Sequence, residues 1–374
     1  MEFWNNEVIP QKLTSRVHYY NNPTIKIQMN NNYFQIIILL FLVVLNSCSP
    51  VSYETIYPTL RDGKYDSEFP YKSTSEELNR ISETVQRVNS TAFYKIYVFD
   101  KTDNVTLFNL KNKDIEKFAS KEVLADNSLS GTAVTLYSSE GNVALLTCAH
   151  TITFPDTIIA YRSDIEGNKT EFIESISIKE KQVIYVAGFP QGSSVEVLAK
   201  DDHNDIAIIG RKYGAQSGVY FPKFNYPNGK AKEVDWGTFV YLVGYPLNYK
   251  MITKAIVSSP RKDENGAFLV DAVVNPGFSG GLVLAIRDGV PNFELIGMVQ
   301  WVPEEYENLL YPENTNSKTV YNPVVPYTGD LFVRKHTSIR YGIVKVIPVE
   351  SISNFIIENK EKLDKQGFYF NIPQ

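Results

Sequence analysis

The sequence contains few cysteines, few histidines and no concentration of basic residues. Only Cys48 and Cys148 occur among 374 residues, which excludes a scaffold held together by several disulfides. The four histidines are scattered without the spacing of a metal site, so we expect neither a metal nor a cofactor. The net charge is -5 and the lysines and arginines are dispersed among acids, which excludes a nucleic-acid-binding surface.

The overall composition is that of an ordinary globular protein rich in β-structure. Apolar residues make up 43% of the chain and charged residues 21%, values that allow one large or two modest cores. Tyrosine and phenylalanine are abundant, with 24 and 21 copies, and aromatic residues favour strands. The fold is therefore expected to depend on its apolar core.

An apolar run at residues 36–45 is about half as long as the roughly 20 residues that span a membrane. It ends in Leu45-Asn46-Ser47-Cys48, which resembles a bacterial lipobox, so residues 1–48 are interpreted as a leader and Cys48 as a lipidated first residue. This predicts a bacterial cell-envelope lipoprotein, anchored to the membrane and facing the periplasm or the exterior. A plain, uncleaved membrane anchor remains an alternative, and the start is Met1 or Met29.

Residues 49–90 are predicted to connect the leader to the folded body. From Pro50 to about Pro70 the chain is rich in Ser, Tyr, Pro and charge, which is typical of a tether with little order. Residues 73–88 then place Leu78, Ile81 and Val85 at helical spacing. This predicts an amphipathic N-terminal helix.

From residue 91 onward the pattern changes to short β-branched and aromatic runs separated by turn formers. About a dozen strands are predicted, and the low-apolar stretch at residues 212–235 divides them into two groups. We therefore expect an all-β protein with two barrels or sandwiches, at residues 91–225 and 226–374. Residues 348–363 have helical periodicity and predict a closing C-terminal helix.

A serine among glycines is the first candidate for chemistry. Ser279 lies in residues 275–281, where Gly277, Gly280 and Gly281 allow sharp turns and a close approach of backbone N–H groups. Acyl transfer needs such a nucleophile together with a base, a group that orients the base, and donors for the oxyanion. Ser279 is therefore predicted to be the nucleophile, against the alternative of a simple turn rich in Gly and Ser.

A histidine and an aspartate border two apolar strands. His150 follows the apolar run 143–149, and Asp205 directly precedes the run 206–209. A carboxylate at the edge of a core accepts a bond from an imidazole N–H with little competition from solvent. We predict that His150 is the general base and Asp205 its orienting acid, although Asp201 and Asp202 stand close by and a structural histidine or a turn aspartate is the simpler alternative for each.

The chain order His, Asp, Ser, together with several local segments, resembles that of the trypsin-like serine proteases of the HtrA or DegP type. The segments that carry the resemblance are residues 130–134, 145–151, 205–209, 243–246 and 271–281. A weaker similarity at residues 341–348, followed by the closing helix, extends the resemblance over about residues 91–363.

This resemblance implies two six-stranded antiparallel β-barrels of the chymotrypsin type, with a helix at each end, and a serine endopeptidase acting on proteins or peptides. The oxyanion donors would be the N–H groups of Gly277 and Ser279. The residue six positions before the nucleophile, Val273, would lie at the base of the primary pocket and favour cleavage after small or medium apolar residues. Neither the oligomeric state nor the natural substrate follows from it.

The chain departs from the family pattern in four respects. No PDZ module is expected after the closing helix, and Phe278 and Leu282 stand where the family has a small polar residue and proline, which suggests an altered rim of the site. Residues 306–336, rich in Asn, Pro and Tyr, are interpreted as an inserted loop.

Two other functions were weighed against a protease. Gly277-Phe278-Ser279-Gly280-Gly281 also satisfies the nucleophile elbow of α/β-hydrolases, but that fold needs Ser, then acid, then His, and only His336 follows Ser279. An esterase is therefore disfavoured. The second alternative is a catalytically silent surface lipoprotein that uses the protease fold as a binding module, which the presence of every triad residue type argues against.

Overall fold

A computed structural model describes residues 61–370 apart from 112–113, 165, 191–193, 262, 302–303, 313–323, 325–330 and 340–341, together with the isolated Gln35. Only the backbone is described for residues 301, 304–308, 310–312 and 331–339. The predicted leader, lipobox and Cys48 lie outside the described residues. None of the helices in the described part is long and apolar enough to cross a membrane.

Seven strands form the first sheet, which closes into a barrel. They are β1 (Val85–Val98), β2 (Lys121–Ser139), β3 (Asn142–Thr147), β4 (Thr157–Ser163), β5 (Lys169–Val186), β6 (Ser194–Asp201) and β7 (Ile206–Lys212). The order is β1-β2-β3-β7-β6-β5-β4, and a further pairing of β1 with β5 closes a ring of six antiparallel strands. β4 pairs with the outer edge of β5.

Six strands form a second closed barrel in the order β10-β15-β12-β11-β8-β9. Their bounds are β8 (Phe239–Gly244), β9 (Met251–Ser259), β10 (Phe268–Val270), β11 (Leu282–Ile286), β12 (Phe293–Trp301) and β15 (Val344–Pro348). β13 (Glu304–Pro312) and β14 (Leu331–Ile339) form a separate antiparallel pair. The two antiparallel six-stranded barrels confirm the fold expected from the resemblance.

In the described part of the chain, four α-helices accompany the barrels: α1 (Ser75–Glu83), α2 (Leu107–Leu110), α3 (Val349–Glu358) and α4 (Lys360–Lys365). The last two lie in the predicted closing helix, which is divided at Asn359. α3 buries Val349, Ile352 and Phe355 against the barrels, as its helical periodicity indicated.

Strands that are apolar on both faces occupy the centre of each barrel. Residues 143–146 of β3 and 206–209 of β7 are completely buried, because both faces of these strands contact core side chains. The two strands also pair with each other. In the second barrel the same holds for residues 240–243 of β8 and 282–285 of β11. The candidate functional residues follow or precede these rigid strands.

Three expectations about local structure are wrong. The N-terminal helix ends at Glu83 rather than near residue 88, because Val85 and Val88 are buried in strand β1, which pairs with β2 and β5. Among the dozen short strands predicted from residue 91 onward, the apolar runs at 171–178 and 182–188 are separate strands, but in the structure most of both runs belongs to one continuous strand, β5. The inserted segment at 306–336 is not a loop throughout, since its ends lie in β13 and β14.

The tether is also more ordered than expected from residue 61 onward. Tyr65 is buried, its hydroxyl donates to Glu294 at 2.7 Å, and the same oxygen accepts from the Lys230 N–H at 2.7 Å. The Asp66 N–H donates to Ile286 O, and the Phe239 N–H donates to Asp66 O. An aromatic ring and two backbone bonds thus attach this segment to the second barrel, which composition alone did not reveal.

Candidate active site

His150 lies in a short 3-10 turn, Ala149–Ile152, that follows strand β3. The turn is held by the Thr151 hydroxyl, which donates to Cys148 O at 2.7 Å, and by the Thr153 hydroxyl, which donates to Ala149 O at 2.8 Å. The backbone is therefore fixed by the core strand on one side and by hydroxyl bonds within the turn. The imidazole itself is 45% exposed, so it is accessible to a substrate.

Asp205 contacts His150 through both of its carboxylate oxygens. Oδ2 lies 2.8 Å from His150 Nδ1, and Oδ1 accepts the backbone N–H of His150 at 2.8 Å. The backbone of Asp205 has φ +58°, a left-handed conformation that aspartate tolerates, and it turns the carboxylate toward the histidine at the start of β7. With Nδ1 donating to Asp205, Nε2 is left as the acceptor that a general base needs.

The neighbouring acids have other partners. Asp201 accepts the N–H groups of His203 and Asn204 in the turn before β7, at 2.9 and 3.1 Å. Asp202 forms an ion pair with Lys200 at 2.8 Å and is 62% exposed. Of these three aspartates, only Asp205 contacts His150 within the described residues.

Ser279 lies in the loop between β10 and β11, and the loop is held from both barrels. Ser279 O accepts the N–H of Thr132 in β2 at 2.8 Å, whereas the Gly280 N–H donates to Val299 O in β12 at 2.8 Å. The Gly281 N–H closes the turn on Phe278 O at 2.9 Å. We name residues 275–281 the nucleophile loop.

Two glycines of the nucleophile loop have positive φ and no room for a side chain. Gly277 has φ +100°, and a Cβ there would lie 2.6 Å from Tyr245 O. Gly280 has φ +90°, and a Cβ there would overlap the carbonyl oxygen of Thr132. Both positions therefore need glycine for conformation and for the close approach of neighbouring backbone.

Several backbone N–H groups of the nucleophile loop have no acceptor among the described residues. The N–H groups of Asn275, Gly277 and Ser279 donate to no protein acceptor there, whereas those of Phe278, Gly280 and Gly281 all do. The groups of Gly277 and Ser279 are the two that the resemblance implied as oxyanion donors. A pair of unpaired backbone donors beside a serine is the arrangement that stabilises a tetrahedral oxyanion.

Phe278 corrects the expectation of an altered rim. Its side chain is 2% exposed and belongs to the core of the second barrel. A Cβ at Gly244 would lie 2.7 Å from the ring, and one at Gly281 would lie 2.9 Å from it, so two glycines make room for the phenylalanine. Leu282 is likewise completely buried in β11. Both departures from the family pattern therefore place apolar side chains in the core beneath the nucleophile loop, and neither side chain is exposed at the rim of the site.

The histidine turn and the nucleophile loop approach each other at Gly131. A Cβ at this position would lie 2.7 Å from Cγ2 of Thr151, the neighbour of His150, and 3.2 Å from Ser279 O. Among the described residues, Ser279 Oγ forms no hydrogen bond, so the structure joins His150 to Asp205 but shows no bond from Ser279 to the imidazole. Such bonds commonly tighten only when substrate binds.

Cys148 is a buried thiol behind the histidine turn. Its Sγ donates to Val299 O at 3.2 Å, and burial raises the pKa of the thiol well above its ordinary value. Ligand atoms of Cys148, His150 and Asp205 lie within 4.8 Å of one another, but a metal would need the thiolate and would replace the His150–Asp205 bond. His150 and Asp205 are therefore better suited to proton transfer than to metal binding. The Cys148 sulfur is inaccessible and is unsuited to act as a nucleophile.

Val273 has a different environment from its neighbours. Its side chain is 72% exposed, whereas those of Ala272 and Val274 are buried. An exposed side chain lines an open surface and does not form the closed floor of a pocket. The role of Val273 in a substrate pocket stays a prediction.

Sequence reasoning assigned no role to Thr132 or to the segment Tyr245–Leu247. Residues 130–134 and 243–246 are predicted only as segments of resemblance. In the structure Thr132 donates to Ser279 O and Gly277 O, Leu247 donates to Pro276 O, and the Tyr245 N–H donates to Thr132 Oγ1. A buried hydroxyl residue between small residues, as in Gly131-Thr132-Ala133, was the available signal.

A comparison with known protein families finds a match to the chain. Residues 131–298 match the family model described as the trypsin-like peptidase domain. The match begins at Gly131 and ends at Met298, and it includes His150, Asp205 and Ser279. The matched residues run from β2 to β12 and thus include strands of both barrels.

Two solved structures are similar to the chain at low identity. A serine endoprotease from Yersinia pestis is 18% identical with a TM-score of 0.37, and the match covers 80% of this chain and 70% of that one. Deg5 is 16% identical with a TM-score of 0.33, and the match covers 62% of this chain and 87% of that one. Among curated proteins, no sequence matches the chain significantly.

Proposed function

We propose that the trypsin-like peptidase domain is an active serine endopeptidase with Ser279 as nucleophile, His150 as general base and Asp205 as the acid that orients His150. The observation that carries the proposal is the pair of 2.8 Å contacts from Asp205 to the ring and the backbone N–H of His150. With Asp205 ionised, these contacts favour the tautomer that carries its proton on Nδ1 and leaves Nε2 free to accept one. The two unengaged N–H groups of Gly277 and Ser279 support it further.

The reaction would proceed in two transfers of an acyl group. Ser279 Oγ attacks the substrate carbonyl carbon while His150 Nε2 takes the hydroxyl proton, and the negative charge on the carbonyl oxygen is stabilised by the Gly277 and Ser279 N–H groups. His150 then gives the proton to the leaving amine, which leaves an acyl-enzyme. A water molecule then attacks the acyl-enzyme in the same way, with His150 as base, and releases the carboxylic acid product and Ser279. Asp205 stabilises the imidazolium in both steps.

The test is digestion of an unfolded protein such as casein by the purified protein, with the new termini identified by mass spectrometry. We expect time-dependent internal cleavage that a fluorophosphonate inhibitor stops. Absence of any new peptide terminus at high enzyme concentration would contradict an endopeptidase.

We further propose that the primary pocket is apolar and that Val273 contributes to it. Valine offers no carboxylate to pair with Lys or Arg, so we expect cleavage after Val, Ala, Ile or Leu, with preferences of only about 1–3 kcal/mol among them. A mixed peptide library tests this proposal. Dominant cleavage after Arg or Lys by the wild type would refute it, and Val273→Asp is expected to introduce such cleavage.

Export and lipid anchoring through Cys48 are proposed on the sequence alone. The support is the apolar run at residues 36–45 followed by Leu45-Asn46-Ser47-Cys48. Metabolic labelling with a fatty acid analogue is expected to modify the wild type and not Cys48→Ala. An unlabelled wild type that remains in the membrane fraction would favour the plain anchor.

A further inference from the structure

The hydroxyl of Thr132 joins three segments of the site. Thr132 is completely buried in β2, and its Oγ1 donates to Gly277 O at 2.8 Å while accepting the N–H of Tyr245 at 2.9 Å. Its backbone N–H donates to Ser279 O at 2.8 Å, and its carbonyl accepts the Thr147 hydroxyl at 2.7 Å. One residue of the first barrel therefore contacts the nucleophile loop on both sides of Phe278.

These contacts restrain the peptide units on both sides of Gly277. The carbonyl of Pro276 accepts the Leu247 N–H at 2.9 Å, and the carbonyl of Gly277 accepts the Thr132 hydroxyl. In a trans peptide the N–H points opposite to the carbonyl of the same unit, so fixing Pro276 O also fixes the direction of the Gly277 N–H. Since glycine is the most flexible residue, its orientation depends on such external bonds.

We propose that Thr132 is a positioning residue whose hydroxyl holds Gly277 so that the Gly277 N–H is presented to the oxyanion. This inference rests on the proposed function. The hydroxyl is suited to the role because it acts as donor and acceptor at once, and it joins the carbonyl of Gly277 to the Tyr245–Leu247 segment. Without it, two partly buried backbone groups, the Gly277 carbonyl and the Tyr245 N–H, would lose this partner, and Gly277 would lose one of its restraints.

The test compares Thr132→Val with Thr132→Ser. Valine has nearly the same shape but no hydroxyl, whereas serine retains the hydroxyl and loses only a methyl group. Misplacement of a catalytic group by about 1 Å costs on the order of 10²-fold in rate, so we expect Thr132→Val to lower kcat by about 10²-fold with KM changed less than about threefold. We expect Thr132→Ser to stay within about threefold of the wild type in kcat.

Amide hydrogen exchange supplies a readout that does not depend on activity. In Thr132→Val the Tyr245 N–H loses its acceptor, so its exchange should accelerate, whereas in Thr132→Ser it should remain as protected as in the wild type. If Thr132→Val does not fold, Thr132→Cys replaces it. Its thiol is a weaker donor, and we expect a kcat between those of the wild type and a variant without the bond.

The outcomes separate this inference from the proposed function. An active wild type with an equally active Thr132→Val variant would overturn the positioning role alone, and so would a Thr132→Ser variant as impaired as Thr132→Val. Continued protection of the Tyr245 N–H in Thr132→Val would show that the Thr132 hydroxyl is not its acceptor. An inactive wild type would overturn the proposed function and the catalytic role of Thr132 together.

Discussion

The two halves of the candidate site are held in different ways. His150 and Asp205 both belong to the first barrel, where β3 and β7 pair directly and Asp205 bonds both the ring and the backbone of the histidine. The nucleophile loop belongs to the second barrel, yet Ser279 O and Gly277 O are held by Thr132 from the first. The acid–base pair is thus local to one barrel, and the nucleophile depends on both.

Because of this difference, substitutions that affect proton transfer can be distinguished from substitutions that affect the position of the nucleophile loop. A change at His150 or Asp205 should alter proton transfer while leaving the loop in position, because the pair makes its own contacts. A change in the glycines or in Thr132 should alter where the serine and its N–H donors lie, because these residues hold the nucleophile loop between the two barrels. The predictions below test each half separately.

Removing the nucleophile should have the largest effect. We expect Ser279→Ala to lower the rate by about 10⁴ to 10⁶, because the members of a triad act as a unit. The thermal midpoint should be unchanged, since Ser279 Oγ makes no hydrogen bond among the described residues. A peptidase assay and a melting curve on the same preparation measure both. Activity above a few per cent of the wild type would show that another residue attacks the substrate.

Disabling the acid in the first barrel should have the next largest effect. Asp205→Asn is expected to lower kcat by about 10⁴-fold, because an amide no longer holds His150 in the required tautomer. The matched control is Asp202→Asn, which removes only the exposed ion pair with Lys200 and should change kcat less than about twofold. If the control is the more damaging variant, the assignment of the orienting acid is wrong.

Placement of the nucleophile loop is tested by a single methyl group. Gly280→Ala should destabilise the protein by about 1–3 kcal/mol more than Gly167→Ala, because both glycines have positive φ but only at Gly280 would the Cβ overlap backbone. Denaturant unfolding measures the difference. Equal losses in the two variants would mean that the close contact with Thr132 O does not constrain the loop.

Asp66, which lies in the segment attached to the second barrel, is expected to make the stability of the protein depend on pH. Burial raises the pKa of Asp66 from its ordinary 3.8 to about 6, although the bond from the Gly289 N–H opposes the shift. A carboxyl with a raised pKa binds protons more tightly in the folded state, so its stabilising contribution is present below about pH 4 and is lost as pH rises to about 6.

Asp66→Asn should remove this dependence, because the amide does not titrate. From pH 4 to 7 we expect the free energy of unfolding of the wild type to fall by about 1–2 kcal/mol relative to the variant, as measured by urea unfolding. Peptidase activity per folded molecule should be the same for both. Parallel stability curves would show that Asp66 is already ionised at pH 4 in the folded protein.

The sequence was sufficient to predict the parts of the molecule that depend on local pattern. Apolar runs at 143–146 and 206–209 predicted buried strands, and the residues at their ends, His150 and Asp205, contact each other in the structure. The glycines around Ser279 predicted a tight loop, which their positive φ values explain. Chain order then grouped these residues through the resemblance.

Features that depend on distant contacts were not predictable in the same way. Nothing near Phe278 in the sequence shows that Gly244 leaves space for its ring, and the partners of Thr132 lie 113 and 145 positions away. The buried position of Tyr65 likewise depends on Glu294, 229 positions distant. In each case the deciding contact comes from another strand or from the other barrel.

The central claim is that Ser279 is a nucleophile activated by His150, and covalent labelling tests it most directly. A fluorophosphonate probe reacts with an activated serine and not with an ordinary hydroxyl. We predict that the intact protein is labelled in a one-to-one ratio, that peptide mapping finds the label on Ser279, and that His150→Ala reduces the labelling rate by orders of magnitude. An unlabelled wild type, or a label that persists in Ser279→Ala, would contradict the account and favour a protease fold that serves only for binding.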